Sequence, residues 1–274
     1  MILQFFEYLD RDSILHKINP VVKLLLILTL MVIITFIYDP YTPIIFSIIA
    51  IIQITVLGKI PIKAIFKMIL PLTFILIGIT ITSIISYDIG TEKAPQIILA
   101  WKFIQISKSS ITFGLTIGFR MFCFLLYSLL FVVSTDPTDF ILSLIIQLRL
   151  SPKIGFGTLA GYRFVPILNT EYQNIYDAHK IRGVKERSRP IAKIKRAKKY
   201  TVPLMLSATR KAQRVAIAMD SKCFYAYPKR TYLRDIKIRK IDIIYIILFT
   251  ALCMAIFAIL IKFNILNWGY RSLR

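Results

Sequence analysis

The sequence predicts an all-α polytopic membrane protein with about five transmembrane helices and a cytoplasmic domain of three helices, two of them long. Three observations lead to this fold class. Of the 274 residues 57% are hydrophobic. A soluble domain of this length would have far more charged residues on its surface. The apolar residues form runs long enough to cross a bilayer. The charged residues are concentrated in one segment between these runs.

The positive charge is concentrated between Asp136 and Lys240. This segment holds 23 of the 36 Lys and Arg residues and 7 of the 14 acidic residues, so it carries +16 of the net charge of +22. Such a segment cannot lie inside a bilayer, and the positive-inside rule favours the cytoplasmic side. We therefore expect membrane helices in 1–135, a cytoplasmic helical domain in 136–240, and a last transmembrane helix with its tail in 241–274.

Five apolar segments are candidates for membrane crossings, with the N-terminus inside and the C-terminus outside. The first twelve residues contain acids and no basic stretch ahead of the first apolar run, so a cleaved signal peptide is not expected. At 1.5 Å per residue the longer segments approach a hydrocarbon core of roughly 30 Å, whereas the second is short for a crossing. The predicted crossings are Val21–Tyr38, Pro43–Leu57, Ala64–Ser86, Ile111–Ser134 and Ile241–Phe263.

The connections between the crossings differ in composition. Lys59, Lys63 and Lys67 are typical of an inner loop. Tyr87–Ser110 is the one long outer loop. Its β-branched and aromatic run from Ile97 predicts either a short hairpin or a segment lying on the membrane surface.

Four residues inside the crossings carry structural expectations. Pro71 should kink its helix unless a neighbour satisfies the freed carbonyl. Gly114 and Gly118 are spaced as a small-residue contact with another helix. Arg120 is the one strong charge in its crossing, and two interpretations stay open: it reaches the outer interface, or it is a buried partner of another helix.

The basic segment predicts three helices. Pro137 fits the first helical position after a capping Asp136, so a helix should start there. Pro166 and Pro203 should bend the two longer helices near their starts. The predicted helices are Pro137–Leu150, Gly155–Gly183 and Ala192–Phe224, with a charged bridge at Val184–Pro190. The three cysteines, Cys123, Cys223 and Cys253, have no disulfide or zinc spacing, so neither a redox role nor a metal site is predicted.

The two long helices share one pattern near their ends. Four and seven residues before a terminal cation, each helix has an alanine and a β-branched residue, and such positions share one helical face. A stripe of this kind lets another surface approach closely and lets the cation meet a carboxylate. Gly183 fits a helix C-cap. The stripes are Ile175, Ala178 and Arg182 on the first helix, and Val215, Ala218 and Lys222 on the second. The alternative is a pair of amphipathic helices lying on anionic lipid.

Several stretches carry a family resemblance that covers nearly the whole chain. They are Asp12–Lys23, Thr135–Asp139, Tyr162–Leu168 and the two helix ends. The sequence resembles the transmembrane T components of energy-coupling factor (ECF) transporters, a group that includes the cobalt and nickel uptake permeases. The two Ala-Arg-Gly signatures of this family fall on Ile181-Arg182-Gly183 and Ser221-Lys222-Cys223. The first keeps Arg and Gly, and the second keeps only a cation, which as lysine lacks the bidentate fork of arginine.

The resemblance implies a function and a set of partners. It implies coupling helices that cross beneath the membrane, with each tip docked in a groove of one of two ABC-type ATPases. The membrane helices would hold a separate substrate-binding S component within the lipid bilayer of the cell membrane. The transported micronutrient would be a vitamin, a vitamin precursor or a metal ion. The chain itself would bind no cofactor, since ATP would be bound by the partner ATPases.

Other functions are less consistent with the sequence. The chain has no G-x-x-x-x-G-K-[ST] loop, so ATP hydrolysis is not expected, and we predict that it is not an enzyme. Metal-dependent membrane transferases need clustered acids that the crossings lack. Nucleic acid is not expected as a partner, because the basic segment has no recognisable nucleic-acid fold. A lipid-bound membrane scaffold stays open. A self-sufficient secondary transporter is less favoured, because it usually needs ionisable groups near the midplane.

Overall fold

The computed structural model describes residues 13–87, 97–101, 104–183, 190–224, 232, 234 and 236–263, with side chains except at 97–106 and 190–198. These residues form helices and one two-stranded antiparallel sheet. The elements are α1 (Ile14–Lys17), α2 (Pro20–Thr35), α3 (Tyr41–Ile52), α4 (Ile62–Ile85), β1 (Ile97–Trp101), β2 (Ile104–Ser107), α5 (Lys108–Ser134), α6 (Pro137–Gln147), α7 (Pro152–Ile181), α8 (Pro190–Ser221) and α9 (Lys240–Lys262). A π-helical turn, Gln53–Leu57, continues α3.

The chain divides into two compact units. One unit comprises 1–148 together with 236–274, and the other comprises 149–235. The predicted cytoplasmic segment, 136–240, is wider than the second unit, since α6 belongs to the first. We call the first the membrane unit and the second the basic unit.

Among the described residues, three helices are long and apolar enough to cross a membrane. They are α4, α5 and α9, which agree with three of the five predicted crossings. The helices α2, α6 and the run Tyr41–Leu57 are apolar but shorter. The first predicted crossing was too long, because α2 ends at Thr35 and not at Tyr38.

Local capping fixes several helix boundaries. The Asn19 side chain accepts a hydrogen bond from the Val21 amide (3.1 Å) and starts α2. The Asp136 carboxylate accepts one from the Thr138 amide (2.9 Å), which confirms the predicted start of α6. The predicted end of α6 at Leu150 was wrong, because the helix ends at Gln147 and Arg149 has a φ of 54°.

The long helix α5 packs against α3 and α4 in the core of the membrane unit. Its glycines provide the close approach that their spacing predicted. A Cβ added at Gly114 would overlap the Ile84 side chain, and one added at Gly118 would overlap the Thr80 hydroxyl. The outward side chains of α4 are exposed, with Phe74 at 83%. This side of α4 is suited to lipid.

Arg120 is a buried partner of another segment and is not directed to the interface. Its side chain is 8% exposed, and its guanidinium donates a hydrogen bond to the Ile37 carbonyl. It also lies over the Tyr38 ring, 5.0 Å from the centroid. The hydrogen bond and the cation–π contact together offset part of the cost of burying the charge.

The predicted outer loop contains a hairpin, which was one of its two predicted forms. Trp101 pairs with Ile104 and Ile97 with Ser107, in antiparallel register with an irregularity between Ile97 and Leu99. The sequence had not indicated the short helix α1 or the π-helical turn after α3. Residues 1–12, most of the predicted bridge (184–189) and the tail (264–274) lie outside the described residues.

Proline lies inside three of the helices. α4 continues through Pro71, α7 through Pro166 and α8 through Pro203 without a break in the helix. The predicted bend at each proline stays a prediction.

Candidate functional site: the ends of an antiparallel helix pair

The basic unit is built around an antiparallel pair of helices, α7 and α8. At one end of the pair, Tyr200 of α8 contacts the rings of Tyr172, Tyr176 and His179 near the end of α7. At the other end, Phe224 lies edge-on to Phe156 near the start of α7, with ring centroids 5.3 Å apart. The two helices therefore run side by side in opposite directions.

A polar contact joins the middle of the pair. The Glu171 carboxylate accepts hydrogen bonds from the Lys211 ammonium (2.7 Å) and from the Ser207 hydroxyl (2.9 Å). The Lys211 ammonium, followed by the Ser207 hydroxyl, holds the pKa of Glu171 below its usual range. Glu171 and Lys211 are about one-quarter exposed. The ion pair thus joins the two helices at one point and remains open to water.

The first predicted tip lies at the end of α7, where the helix ends at Ile181 rather than Gly183. Ile181 is 86% exposed, and Arg182 and Gly183 are also exposed. The Gly183 amide donates to the Lys180 carbonyl (3.1 Å), and Gly183 has a φ of 72°. This is the left-handed cap that glycine adopts without a steric cost.

The second predicted tip lies at the end of α8, where the helix ends at Ser221 rather than Phe224. Ser221, Lys222 and Cys223 are all exposed. The amide of Cys223 donates to the Asp220 carbonyl (2.9 Å), and that of Phe224 donates to the Met219 carbonyl (3.0 Å). These two bonds form a Schellman motif, with Cys223 in the left-handed position at a φ of 54°.

The two tips are similar in structure but are not close together. Ile181 follows Phe156 by 25 residues of continuous helix, which is roughly 38 Å at 1.5 Å per residue. Phe156 contacts Phe224, the residue directly after the second tip. Each tip therefore presents its exposed cation at an opposite end of the antiparallel pair.

The predicted supporting faces divide between the helix interface and the surface. Ala178 and Ala218 are exposed, as an approaching surface would require, whereas Ile175 and Val215 are half-buried. Val215 lines an apolar cavity of about 270 Å³ between α7 and α8. Other residues of its lining are Phe156, Leu159, Phe164, Ile167 and Met219.

Sequence reasoning missed a buried polar cluster in the membrane unit. Lys23 lies in the first turn of the first predicted crossing, where it is 1% exposed and donates hydrogen bonds to Ser134 and Thr135. Asp242 is also 1% exposed and bonds to the amides of Asn19 and Arg239. In both cases the sequence did show a charged residue in the first turn of an apolar helix. Only the fold shows that the N-terminal ends of these two helices, α2 and α9, lie together.

No metal centre is apparent in the described part of the chain. No group of three or more His, Cys, Asp or Glu side chains is placed to hold an ion there.

Comparison with known proteins identifies similar sequences over most of the chain. A family model described as CbiQ, cobalt transport protein, matches residues 11–233. Three similar relatives carry the name energy-coupling factor transporter transmembrane protein EcfT. The protein from Acidaminococcus fermentans is 30% identical over 96% of each chain. That from Staphylococcus aureus is 28% identical over 92% of this chain and 95% of its own. That from Ruminiclostridium cellulolyticum is 27% identical over 87% and 90%.

Proposed function

Because the chain belongs to the CbiQ family and is a transmembrane component of the energy-coupling factor type, we propose that its basic unit couples ATP hydrolysis by two partner ATPases to transport. The observation that carries this proposal is the pair of exposed, cation-bearing helix ends at opposite ends of one antiparallel helix pair. Two separated tips suit two separate partner subunits.

Each tip has the chemistry of a docking point. A helix end with an exposed cation and a compact cap can enter a groove that carries carboxylates. At the first tip, Arg182 offers a planar fork that can bind a carboxylate in a bidentate manner, and Ile181 adds an apolar contact. At the second tip, Lys222 offers a point charge beside the smaller Ser221 and Cys223. We therefore propose that the first tip makes the stronger attachment.

The proposed mechanism is mechanical. ATP binds to the partner ATPases and not to this chain, and its hydrolysis moves the two ATPases relative to one another. The tips follow this movement. The α7–α8 pair, with about 45 Å of helix in α7, carries it to the membrane part as a lever. A separate substrate-binding S component is thereby reoriented in the bilayer and releases a vitamin, a vitamin precursor or a metal ion.

The orientation in the membrane follows from charge. The chain is a membrane protein, and we propose that its basic unit is cytoplasmic. α8 alone contains eight Lys and Arg residues and one acidic residue. Positive residues are retained on the cytoplasmic side of membrane proteins, where the ATP required by the proposed partners is also found.

Co-purification tests the coupling function. The tagged full chain would be solubilised from its native membrane and its partners identified and counted. We expect two ATPase subunits and a small membrane protein to accompany it. Purification without ATPases, together with binding to anionic vesicles, would contradict the proposal and support a lipid-bound scaffold instead.

A further inference from the structure

The segment that leads towards the basic unit is attached to the first turn of α2. The Lys23 ammonium donates to the Ser134 carbonyl (2.9 Å), the Ser134 hydroxyl (3.0 Å) and the Thr135 hydroxyl (3.1 Å). An ammonium has three donors, so all of them are used. Ser134 ends α5, and Thr135 lies between α5 and α6. Lys23 thus holds the chain just before it continues through α6 into the basic unit.

The segment that returns from the basic unit is attached to the same end of α2. Asp242, in the first turn of α9, accepts a hydrogen bond from the Asn19 amide (2.7 Å) through one carboxylate oxygen. Its other oxygen accepts one from the Arg239 amide (2.6 Å). Asn19 caps α2 and Lys23 lies in its first turn, four residues later. The N-terminal end of α2 therefore holds both connections of the basic unit.

These attachments differ in kind from the apolar packing around them. Apolar contacts are non-directional and can slide, whereas hydrogen bonds weaken steeply when their distance or angle changes. Lys23 and Asp242 are each 1% exposed, so water cannot readily replace the lost partners. Displacement of Thr135 or Arg239 should therefore displace α2 as well.

We propose that Lys23 and Asp242 are positioning residues that pass movement of the basic unit to α2 and so into the membrane unit. This inference rests on the proposed coupling function. It assigns a role to the first turn of α2, which lies outside both tips. Without these bonds the ATPases would still bind and hydrolyse ATP, but α2 would no longer follow them.

A distance measurement inside the membrane unit tests the proposal. Spin labels would be coupled to p-acetylphenylalanine introduced in place of Val32 on α2 and Phe74 on α4, whose native side chains are 58% and 83% exposed. The native cysteines would stay in place, because Cys223 belongs to the second tip. The complete complex in nanodiscs would be compared without nucleotide and with Mg-ATP and vanadate. We expect a nucleotide-dependent shift of about 2 Å or more between the labels, and its loss in Lys23→Met.

Matched variants separate positioning from general damage. Lys63→Met makes the same substitution in the first turn of α4, at an exposed side chain, and should retain the shift. Lys23→Arg keeps the cation and should restore part of it. If Lys23→Met prevents assembly, Asp242→Asn provides the second variant. The asparagine side chain has one acceptor oxygen in place of two, so it can keep only one of the hydrogen bonds from the Asn19 and Arg239 amides. We expect it to reduce the shift at least by half.

The outcomes distinguish this inference from the function on which it rests. The inference would be overturned if the nucleotide-dependent shift were retained in both Lys23→Met and Asp242→Asn. It would also be overturned if the labelled complex without these variants showed no shift while its ATPases were bound. In those cases the coupling function would stand. A wild-type protein that binds no ATPases would instead contradict the coupling function and this inference together.

Discussion

Gly183 and Cys223 occupy the same position at the ends of α7 and α8, and both have a left-handed backbone, with φ of 72° and 54°. Each donates its amide to the carbonyl three residues earlier, Lys180 and Asp220 respectively. Glycine adopts this conformation freely, but the Cβ of cysteine meets the following carbonyl, at a cost of roughly 1–2 kcal/mol. The second tip therefore stores conformational strain that the first does not.

Cys223→Gly should relieve this strain. Removal of the Cβ lowers the energy of the folded cap, while the greater freedom of glycine in the unfolded chain opposes part of the gain. We expect the end of α8 to be more stable by about 0.5–1 kcal/mol. Hydrogen exchange of the amides of Cys223 and Phe224 measures this, since both are bonded in the cap.

Gly183→Ala provides the converse change. A Cβ at Gly183 would meet no atom within 4 Å, so any loss of stability would arise from the backbone conformation alone. We expect faster exchange of the Gly183-position amide, by an amount that corresponds to about 1 kcal/mol. Equal exchange rates in both variants and wild type would contradict the strained cap.

Local signals in the sequence were sufficient for part of the fold. Asp136 and Pro137 predicted the start of α6, because a cap and a proline at the first helical position act within a few residues. Gly114 and Gly118 predicted a close helix contact through their spacing alone. The ends of α7 and α8 were placed two to three residues too late. The residues of the left-handed cap do not have helical backbone angles, so each helix ends before them.

Charge reversal at the tips tests their proposed docking role. Arg182→Glu places a negative charge against the acidic groove expected on the partner, so ATPase bound per transporter should fall roughly tenfold or more. Lys222→Glu should act in the same direction but more weakly. Quantitative co-purification measures both effects.

The tip prediction has two internal controls. Arg210→Glu reverses an exposed arginine in the middle of α8 and should leave ATPase binding unchanged. Lys222→Arg should be tolerated or should improve binding, since it supplies a bidentate donor. Equal loss of binding in Arg210→Glu and Arg182→Glu would indicate an effect of overall charge and would remove the assignment of the first tip.

Glu171 should give the α7–α8 pair a dependence on pH. Its pKa is lowered in the folded protein by the Lys211 ammonium and then by the Ser207 hydroxyl. The carboxylate therefore stabilises the pair fully above the ordinary glutamate pKa of about 4.3. This contribution is lost as pH falls through the lower folded-state pKa. Because the pair is part-exposed, we expect a small effect.

Carboxyl NMR of ¹³C-glutamate-labelled protein measures this titration directly. Glu171→Gln assigns the signal by its disappearance. Lys211→Met should move the pKa of Glu171 upwards, towards the ordinary value, because it removes the larger cause of the shift. Ser207→Ala should move it in the same direction by a smaller amount. An unchanged titration in Lys211→Met would mean that the ion pair does not persist in solution.

The buried polar cluster shows where prediction from sequence stops. Lys23 contacts residues 111 and 112 positions away, and Asn19 contacts Asp242 across 223 positions. No local pattern specifies which helix ends meet at such separations. The burial of Arg120 could not be predicted for the same reason. Its guanidinium is buried because the Ile37 carbonyl, 83 positions away, accepts its hydrogen bond, and the sequence does not show that these two groups meet. A single charged residue in an apolar helix therefore indicates a buried polar contact, but it does not predict which residue is the partner.

Gly114→Ala should weaken the packing of α5 on α4. A Cβ at this position would overlap the Ile84 side chain and lie 3.1 Å from the Ile84 amide nitrogen, so the two helices must separate or the Ile84 side chain must move. Overpacking of this kind costs about 1–3 kcal/mol. Thermal unfolding of the detergent-solubilised protein should therefore begin at a lower temperature.

Gly78→Ala is the matched control in α4, because a Cβ there meets no atom within 4 Å. It should be neutral or slightly stabilising, since alanine favours the helix. Ile84→Ala added to Gly114→Ala removes the overlapping side chain and should recover part of the loss. A double variant less stable than the sum of both single changes would show that the contact at Gly114 is not the source of the effect.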